Sequence, residues 1–408
     1  MNIGKIILVV CDGMGDRPCE EFDGMTPLQA ADTPNMDRLA ALGQTGLLDI
    51  IRPGVTPGSD TAHLSILGYD SEKLYTGRGP FEAAGAGIEV KGGDVAFRCN
   101  FGTLVDGLVV DRRAGRIKIG TEELARAIDG MVIEDVQVIF RAGVEHRAAL
   151  VLRGPGLSPN VTETDAHETG VPTLEARALS PDGEKTARIL NTFMDETKII
   201  LAKHPVNIAR NSAGEKPGNV VLVRGAGIVP TLEPIEKTTG MKVGCIAGVT
   251  LVKGVCRAAG LKLAEVKGAT GGMDTDMMAK ASAALTMLQD CDMVLVNIKA
   301  PDLAGHDGNP KEKAAVIGRI DRAVGRIMEG MPDGTVLAVT ADHSTPCSFR
   351  EHTGDPVPLV IYAAGNRCDD SLYFHEKECS RGGLGRLLGM DLLPVLTNMS
   401  GRAKKYGA

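Results

Sequence analysis

The chain has 408 residues, with 45 Lys and Arg against 52 Asp and Glu for a formal net charge of −7, 51 glycines and no tryptophan. That length has room for two or three domains, and the negative balance argues against a nucleic-acid coat. Nine cysteines, an odd number with no C-x-x-C pair, fit neither a disulfide framework nor a thiolate zinc site, so a reducing, cytoplasmic setting is expected.

The first apolar run, 6–10, meets Asp12 too soon for a secretory signal, and no run reaches membrane-spanning length. Short apolar runs of this kind recur at 220–223, 243–246, 293–298, 336–340 and 359–362, and read as buried parallel strands. Helical patterns alternate with them. Thr33-Pro34 opens one helix, and 310–331 carries Val316, Ile320, Val324, Ile327 and Met331 on one face of another. Strand–helix alternation predicts an α/β fold with a doubly wound, mostly parallel sheet.

The middle of the chain follows another pattern. Val95, Phe97, Cys99 and Phe101 alternate as in a half-buried strand, 136–140 and 148–152 flank Gly143 as an antiparallel hairpin, and 184–203 is helical. These segments predict a smaller α+β domain over 89–217, inserted into a main domain made of 1–88 and 218–408, with Pro217-Gly218 as the return point.

In open parallel sheets, ligands collect beyond the carboxyl ends of the strands. Asp12 follows 6–10, Asp302 follows 293–298, and Asp342-His343 follows 336–340. His306 lies four residues after Asp302, on the same side of a loop or helical turn, and His352 comes later. Each of these alone is more often an ordinary surface or core residue. Jointly they offer enough oxygen and nitrogen ligands for two divalent metals. Imidazole with carboxylate suits zinc or manganese, and carboxylate-richer sets suit manganese or magnesium. Two such ions can clamp both oxygens of an in-line phosphoryl displacement.

Ser59, in the turn Pro57-Gly58-Ser59-Asp60, is the candidate nucleophile. By itself it reads as the cap of a helix at 61–67, and that helix start would also favour a phosphoryl anion. His63, one turn further on, is expected to face the same pocket. Arg112, Arg113 and Arg116 of the middle domain, with Arg147 and Arg210, read as solvated turn residues or as clamps for a substrate carboxylate or phosphate. Lys253, just beyond 243–246, would neutralise phosphate or stand exposed. The glycine-rich pieces match neither a dinucleotide fingerprint nor a P-loop, so no bound nucleotide is expected.

Ordered stretches along nearly the whole chain carry a family resemblance. They include Cys11-Asp-Gly13, Thr33-Pro-Asn-Met-Asp37, Pro57-Gly-Ser-Asp-Thr-Ala-His63, Arg98-Cys-Asn-Phe101 and Asp111-Arg-Arg-Ala-Gly-Arg116. The second half adds Lys299-Ala-Pro-Asp-Leu-Ala-Gly-His306, Thr340-Ala-Asp-His343 and His352-Thr-Gly-Asp-Pro-Val-Pro358. The chain resembles the alkaline phosphatase superfamily, and more closely its archaeal-type, cofactor-independent phosphoglycerate mutases.

The resemblance implies an alkaline-phosphatase-like catalytic domain with one ion held by Asp12, Ser59, Asp342 and His343 and the other by Asp302, His306 and His352. Manganese is favoured over zinc, cobalt or magnesium. Ser59 would take the phosphoryl group of 3-phosphoglycerate and return it to give 2-phosphoglycerate, a step of glycolysis and gluconeogenesis, with no 2,3-bisphosphoglycerate. The expected partner is this small substrate, not nucleic acid or membrane, with a homo-oligomer left open. Pro301 departs from the small polar residue expected there; it stiffens the loop and leaves the ligand. A large insert able to exclude water suits transfer better than hydrolysis. The alternatives are a phosphomonoesterase, a transferase or mutase for another small phosphate, and a non-catalytic metal-binding protein.

Overall fold

The computed structural model describes residues 4–405 and Gly407. The chain divides into two compact units, one made of Met1–Leu74 with Leu232–Ala408 and the other of Tyr75–Thr231.

The first unit is built on an eight-stranded sheet. Its order is Lys262–Leu263, Val243–Ile246, Met293–Ile298, Ile6–Cys11, Val336–Thr340, Val357–Tyr362, Gln44–Asp49 and Gly385–Leu388. The central strands Ile6–Cys11, Met293–Ile298 and Val336–Thr340 are buried at every position. Successive strand residues point to opposite faces, so this burial means that both faces are covered, which is why the sequence shows unbroken apolar runs there. Pairing is parallel from Lys262–Leu263 through to Val336–Thr340. Val357–Tyr362 runs antiparallel to both neighbours. The parallel direction expected for 359–362 is thus corrected; an apolar run records burial and carries no information about direction.

The helix Pro310–Gly330 buries Val316, Ile320, Val324 and Ile327, the expected face, and Asn309 caps it by accepting the Glu312 N–H at 3.1 Å. The same helix sends Lys313 into the interior. Its ammonium is fully buried and donates to Asp16 Oδ2 at 2.8 Å, the Thr345 carbonyl at 2.9 Å and the Gly15 carbonyl at 3.1 Å. It therefore ties the loop after the first strand to the loop after Val336–Thr340. Lys313→Met would leave the Asp16 carboxylate buried without its cation. It is expected to lower unfolding free energy by about 3–5 kcal/mol, read from the urea midpoint. An unchanged midpoint would show that the pair contributes nothing.

The second unit holds a six-stranded antiparallel sheet ordered Leu108–Asp111, Val95–Val105, Arg147–Arg153, Val136–Ala142 and Val132–Ile133, with Val220–Gly227 also paired to Val95–Val105. Phe97, Phe101, Phe140, Leu150, Leu190 and Phe193 share its core. The expected hairpin is present, and Glu184–Ala202 is the expected helix. Two expectations change. Val220–Gly227 belongs to this sheet and runs antiparallel, so 220–223 is not a strand of the main sheet. The helix Gly79–Gly85 packs on Val95–Val105, and small residues such as Ala83, Ala96 and Ala149 make that close packing on a second face. The unit therefore extends beyond 89–217 on both sides. No helix among the described residues is long and apolar enough to cross a membrane.

Candidate functional site

Strand register brings the site together. Cys11 lies opposite Ile298, and Val10 lies opposite Thr340. The residues just past these strand ends are Asp12, Lys299 and Asp342, so three polar side chains meet at one sheet edge. Gly13 follows with φ +67°, and a Cβ there would lie 2.5 Å from the Asp302 Cβ. Glycine thus serves both the left-handed turn and the close approach.

Asp302 and His306 lie one turn apart on the helix Ala300–Asp307, with Pro301 in its first turn. There the proline's missing N–H leaves no intrahelical bond unmade. At Gly305 a Cβ would come within 2.3 Å of the Thr345 carbonyl oxygen, so the absent side chain lets the helix seat against the loop after Asp342-His343.

Two groups of metal-type ligands result. Asp12, Asp342 and His343 form one, and Asp302, His306 and His352 the other, with the ligand-type atoms of each group within 4.8 Å of one another. His343 Nε2 is 3.5 Å from both Asp12 Oδ1 and Asp342 Oδ2. His306 Nε2 and His352 Nε2 are each 3.4 Å from Asp302 Oδ1.

The outer nitrogens fix the tautomers. His306 Nδ1 donates to the Arg350 carbonyl at 2.7 Å and His352 Nδ1 to the Pro57 carbonyl at 3.0 Å. Thr345 Oγ1 gives its one proton to Asp302 Oδ1 at 2.7 Å, so at 3.0 Å it accepts from His343 Nδ1. All three rings therefore turn Nε2 inward, the orientation that outer hydrogen bonds impose on metal-ligating histidines. Asp342 Oδ2 is buried with no hydrogen-bond partner. A buried carboxylate oxygen without a donor costs free energy unless a cation meets it. The donor set and this unmet oxygen fit divalent ions.

Charge coupling is strong. Burial and then Asp12 push the Asp342 pKa well up. Burial alone would raise Asp302, but Lys299, His352, His343 and His306 outweigh it and hold it well below the carboxylate range. Burial lowers His343 and keeps it neutral despite Asp302. For His352 burial acts downward, and Asp302 outweighs it and raises the pKa. The pocket favours positive charge next to Asp302.

Ser59 is the first residue of the helix Ser59–Ile66, and Gly58 is the cap. The capping reading of Ser59 is thereby corrected. Thr61 Oγ1 closes the turn, accepting from Gly58 N at 3.1 Å and donating to Gly58 O at 3.0 Å. Ser59 Oγ remains free to lie 3.5 Å from His343 Nε2 and to accept from Lys299 Nζ at 3.4 Å. His63 is fully buried and donates from Nδ1 to the Ser59 carbonyl at 2.7 Å, while Asn297 Nδ2 is 3.3 Å from its Nε2 and also donates to Asp12 Oδ2 at 3.1 Å. His63 thus braces the turn that carries Ser59, and its Nδ1 also lies 3.6 Å from Asp342 Oδ2 of the first ligand group.

Lys299 was not among the sequence candidates. Its ammonium donates to Asp12 Oδ1 at 2.7 Å and is 2.7 Å from Asp302 Oδ2. The same rule of strand-end position that finds Asp12 applies to it. Lys253 is half-buried and forms an ion pair with Glu265 at 3.1 Å.

The second unit carries its own charge cluster. Arg112 forms a bidentate pair with Asp165 at 2.9 and 2.7 Å. Arg210 braces a loop through the Lys216 and Ala114 carbonyls and Glu215. Arg113, Arg116 and Arg147 are exposed. Burial, and then Arg147, Arg113, Arg98 and Arg116, push the buried His146 down to about 3. Arg98 itself is pushed down to about 9 by burial and Arg78, with Glu82 opposing and Arg224 and Arg147 adding to the fall. Arg98 Nε is buried without a hydrogen-bond partner. Arg98 and Arg224, which strand pairing sets opposite each other, and Arg78, at the start of the helix Gly79–Gly85, were not singled out from sequence because their proximity is tertiary.

The family described as 2,3-bisphosphoglycerate-independent phosphoglycerate mutase matches residues 40–207, and that described as type I phosphodiesterase / nucleotide pyrophosphatase matches residues 185–354. The 2,3-bisphosphoglycerate-independent phosphoglycerate mutase 1 of Methanothermobacter thermautotrophicus is 47% identical over 99% of this chain and 100% of its own length. A solved structure of a Pyrococcus horikoshii protein superposes with a TM-score of 0.88 at 38% identity, covering 100% of both chains. The cofactor-independent phosphoglycerate mutase of Thermoplasma acidophilum does so at 0.71 with 39% identity, covering 98% of this chain and 100% of that one. Full-length identity at this level and a shared architecture place the chain in an isomerase family, that of the 2,3-bisphosphoglycerate-independent phosphoglycerate mutases.

Proposed function

We propose that the protein interconverts 3-phosphoglycerate and 2-phosphoglycerate without 2,3-bisphosphoglycerate, through a phosphoserine at Ser59, as a cytoplasmic enzyme of glycolysis and gluconeogenesis. The observation that carries this is the convergence of Asp12, Ser59, Asp302, His306, Asp342, His343 and His352 from distant segments, with three imidazoles turned inward by their outer hydrogen bonds.

Asp12, Ser59, Asp342 and His343 would hold one divalent ion, and Asp302, His306 and His352 the other. Mixed oxygen and nitrogen donors suit manganese first, with zinc, cobalt and magnesium as competitors. When bound, such ions supply Lewis-acid charge that acidifies a hydroxyl and neutralises phosphoryl oxygens. Ser59 Oγ forms the bond to phosphorus as the glycerate oxygen leaves, and the serine proton ends on that oxygen. Glycerate is retained, and its other hydroxyl takes the phosphoryl group back while the proton returns to Ser59. His63 and Thr61 hold the turn that aims Oγ. Within the second unit, the crowding of Arg98, Arg113, Arg116 and Arg147 around His146 is positive charge of the kind that binds carboxylates. In this role Arg112 and Arg210 are positioning residues, since their guanidinium groups are already paired.

The test is ³¹P NMR of purified protein with 3-phosphoglycerate and Mn²⁺. The expected result is conversion to 2-phosphoglycerate with little free phosphate. Phosphate release as fast as isomerisation would favour a phosphomonoesterase, the second reading, which the match of residues 185–354 to a phosphodiesterase family keeps in view.

A further inference from the structure

Lys299 stands between the two ligand groups. Its ammonium is 2.7 Å from Asp12 Oδ1 in one and 2.7 Å from Asp302 Oδ2 in the other, with Ser59 Oγ at 3.4 Å. Asp12, Asp302 and Asp342 are all buried, and their negative charges cannot share so small a volume without a countercharge. Lys299 is the lysine whose side chain reaches both groups, and it does so on two of the carboxylates that would have to bind ions.

We infer that Lys299 is a built-in counter-cation that keeps the metal-free site assembled and is displaced when divalent ions enter. This rests on the two-ion reading above and adds to it a regulator of metal affinity. Ions held by Asp12 and Asp302 would put further positive charge beside an ammonium already within hydrogen-bond distance of the same carboxylates. At such separations like charges repel strongly inside a protein. At Asp12 the ammonium holds Oδ1, the same oxygen that faces His343 Nε2, whereas at Asp302 it holds Oδ2 and leaves Oδ1 to the imidazoles, so the competition is direct at the first group and acts by charge at the second. The lysine has a flexible four-carbon stem with which to leave. Occupancy by Lys299 therefore opposes metal binding. The same residue spares the empty site the repulsion of three carboxylates.

The inference is tested by titrating Mn²⁺ calorimetrically into metal-free protein, comparing the natural chain with Lys299→Met. Lys253→Met serves as control, removing equal charge from a lysine that pairs with Glu265 and with neither ligand group. Lys299→Met is expected to bind Mn²⁺ at least about tenfold more tightly, equivalent to about 1.4 kcal/mol, with Lys253→Met unchanged. The metal-free Lys299→Met protein is expected to melt below the metal-free natural chain, and saturating Mn²⁺ is expected to remove most of that difference. If Lys299→Met does not fold without metal, Lys299→Gln retains an N–H donor without the charge and should show the same tighter binding. Equal or weaker Mn²⁺ binding in the folded variant overturns the inference alone. Absence of Mn²⁺ binding in the natural chain overturns it together with the two-ion reading.

Discussion

Ser59→Ala is expected to lower mutase turnover by roughly four orders of magnitude or more, the scale on which removal of a covalent nucleophile acts. The expectation comes from where the hydroxyl sits. Thr61 satisfies the helix-start backbone, so Ser59 Oγ is not needed as a cap. Its loss should leave the fold intact, and the variant's urea midpoint should match that of the natural chain. Mn²⁺ affinity should fall only modestly, since the charged donors Asp12 and Asp342 remain. The measurement is ³¹P NMR at equal protein concentration, combined with mass analysis of acid-quenched natural enzyme for phosphate on the peptide containing Ser59. Turnover retained within tenfold in the alanine variant would remove the phosphoserine pathway. Unmodified Ser59 in a quenched, cycling enzyme would point the same way only if label were found on another residue.

Much of the first unit was legible because parallel strands buried on both faces end abruptly in polar residues. Asp12 and Asp342 are such endings, and the register of Cys11 with Ile298 and of Val10 with Thr340 brings them together as strand-end position suggested. Lys299 follows the same rule, but a lone lysine at a strand end ordinarily reads as a solvated residue, and the acids it bridges are brought to it only by the fold. The direction of Val357–Tyr362 was hidden, since a buried strand looks alike in either orientation. The sheet that Val220–Gly227 joins was hidden too: its partner Val95–Val105 is remote in sequence, and four apolar residues say nothing about which edge they meet. The side-chain roles in the second unit were least legible. Whether an arginine is free or spent depends on tertiary neighbours, such as Asp165 for Arg112 and the Ala114 and Lys216 carbonyls for Arg210. His63 shows the same limit from the other side: helical spacing places it near Ser59, but only packing shows that its ring holds the Ser59 carbonyl and meets Asn297 and Asp342.

Removal of divalent ions should have an effect of similar size. Chelation is expected to reduce mutase turnover by more than roughly a thousandfold, because charge stabilisation of a phosphoryl group is the main work left to such a site. The protein should also lose stability, by about 2.7 kcal/mol for each site that had been held at a hundred times its dissociation constant, seen as a lower melting temperature. Asp302→Asn separates the two ion positions. Asp302 is where His306, His352, Thr345 and Lys299 converge, so removing its charge strips the second group of its only carboxylate while Asp12, Asp342 and His343 keep theirs. The bound stoichiometry should fall from two Mn²⁺ to one, and excess Mn²⁺ should not restore turnover. Full activity after exhaustive chelation, or two tightly bound ions in Asp302→Asn, would mean that the inward-facing imidazoles of His306 and His352 serve some purpose other than holding a catalytic ion.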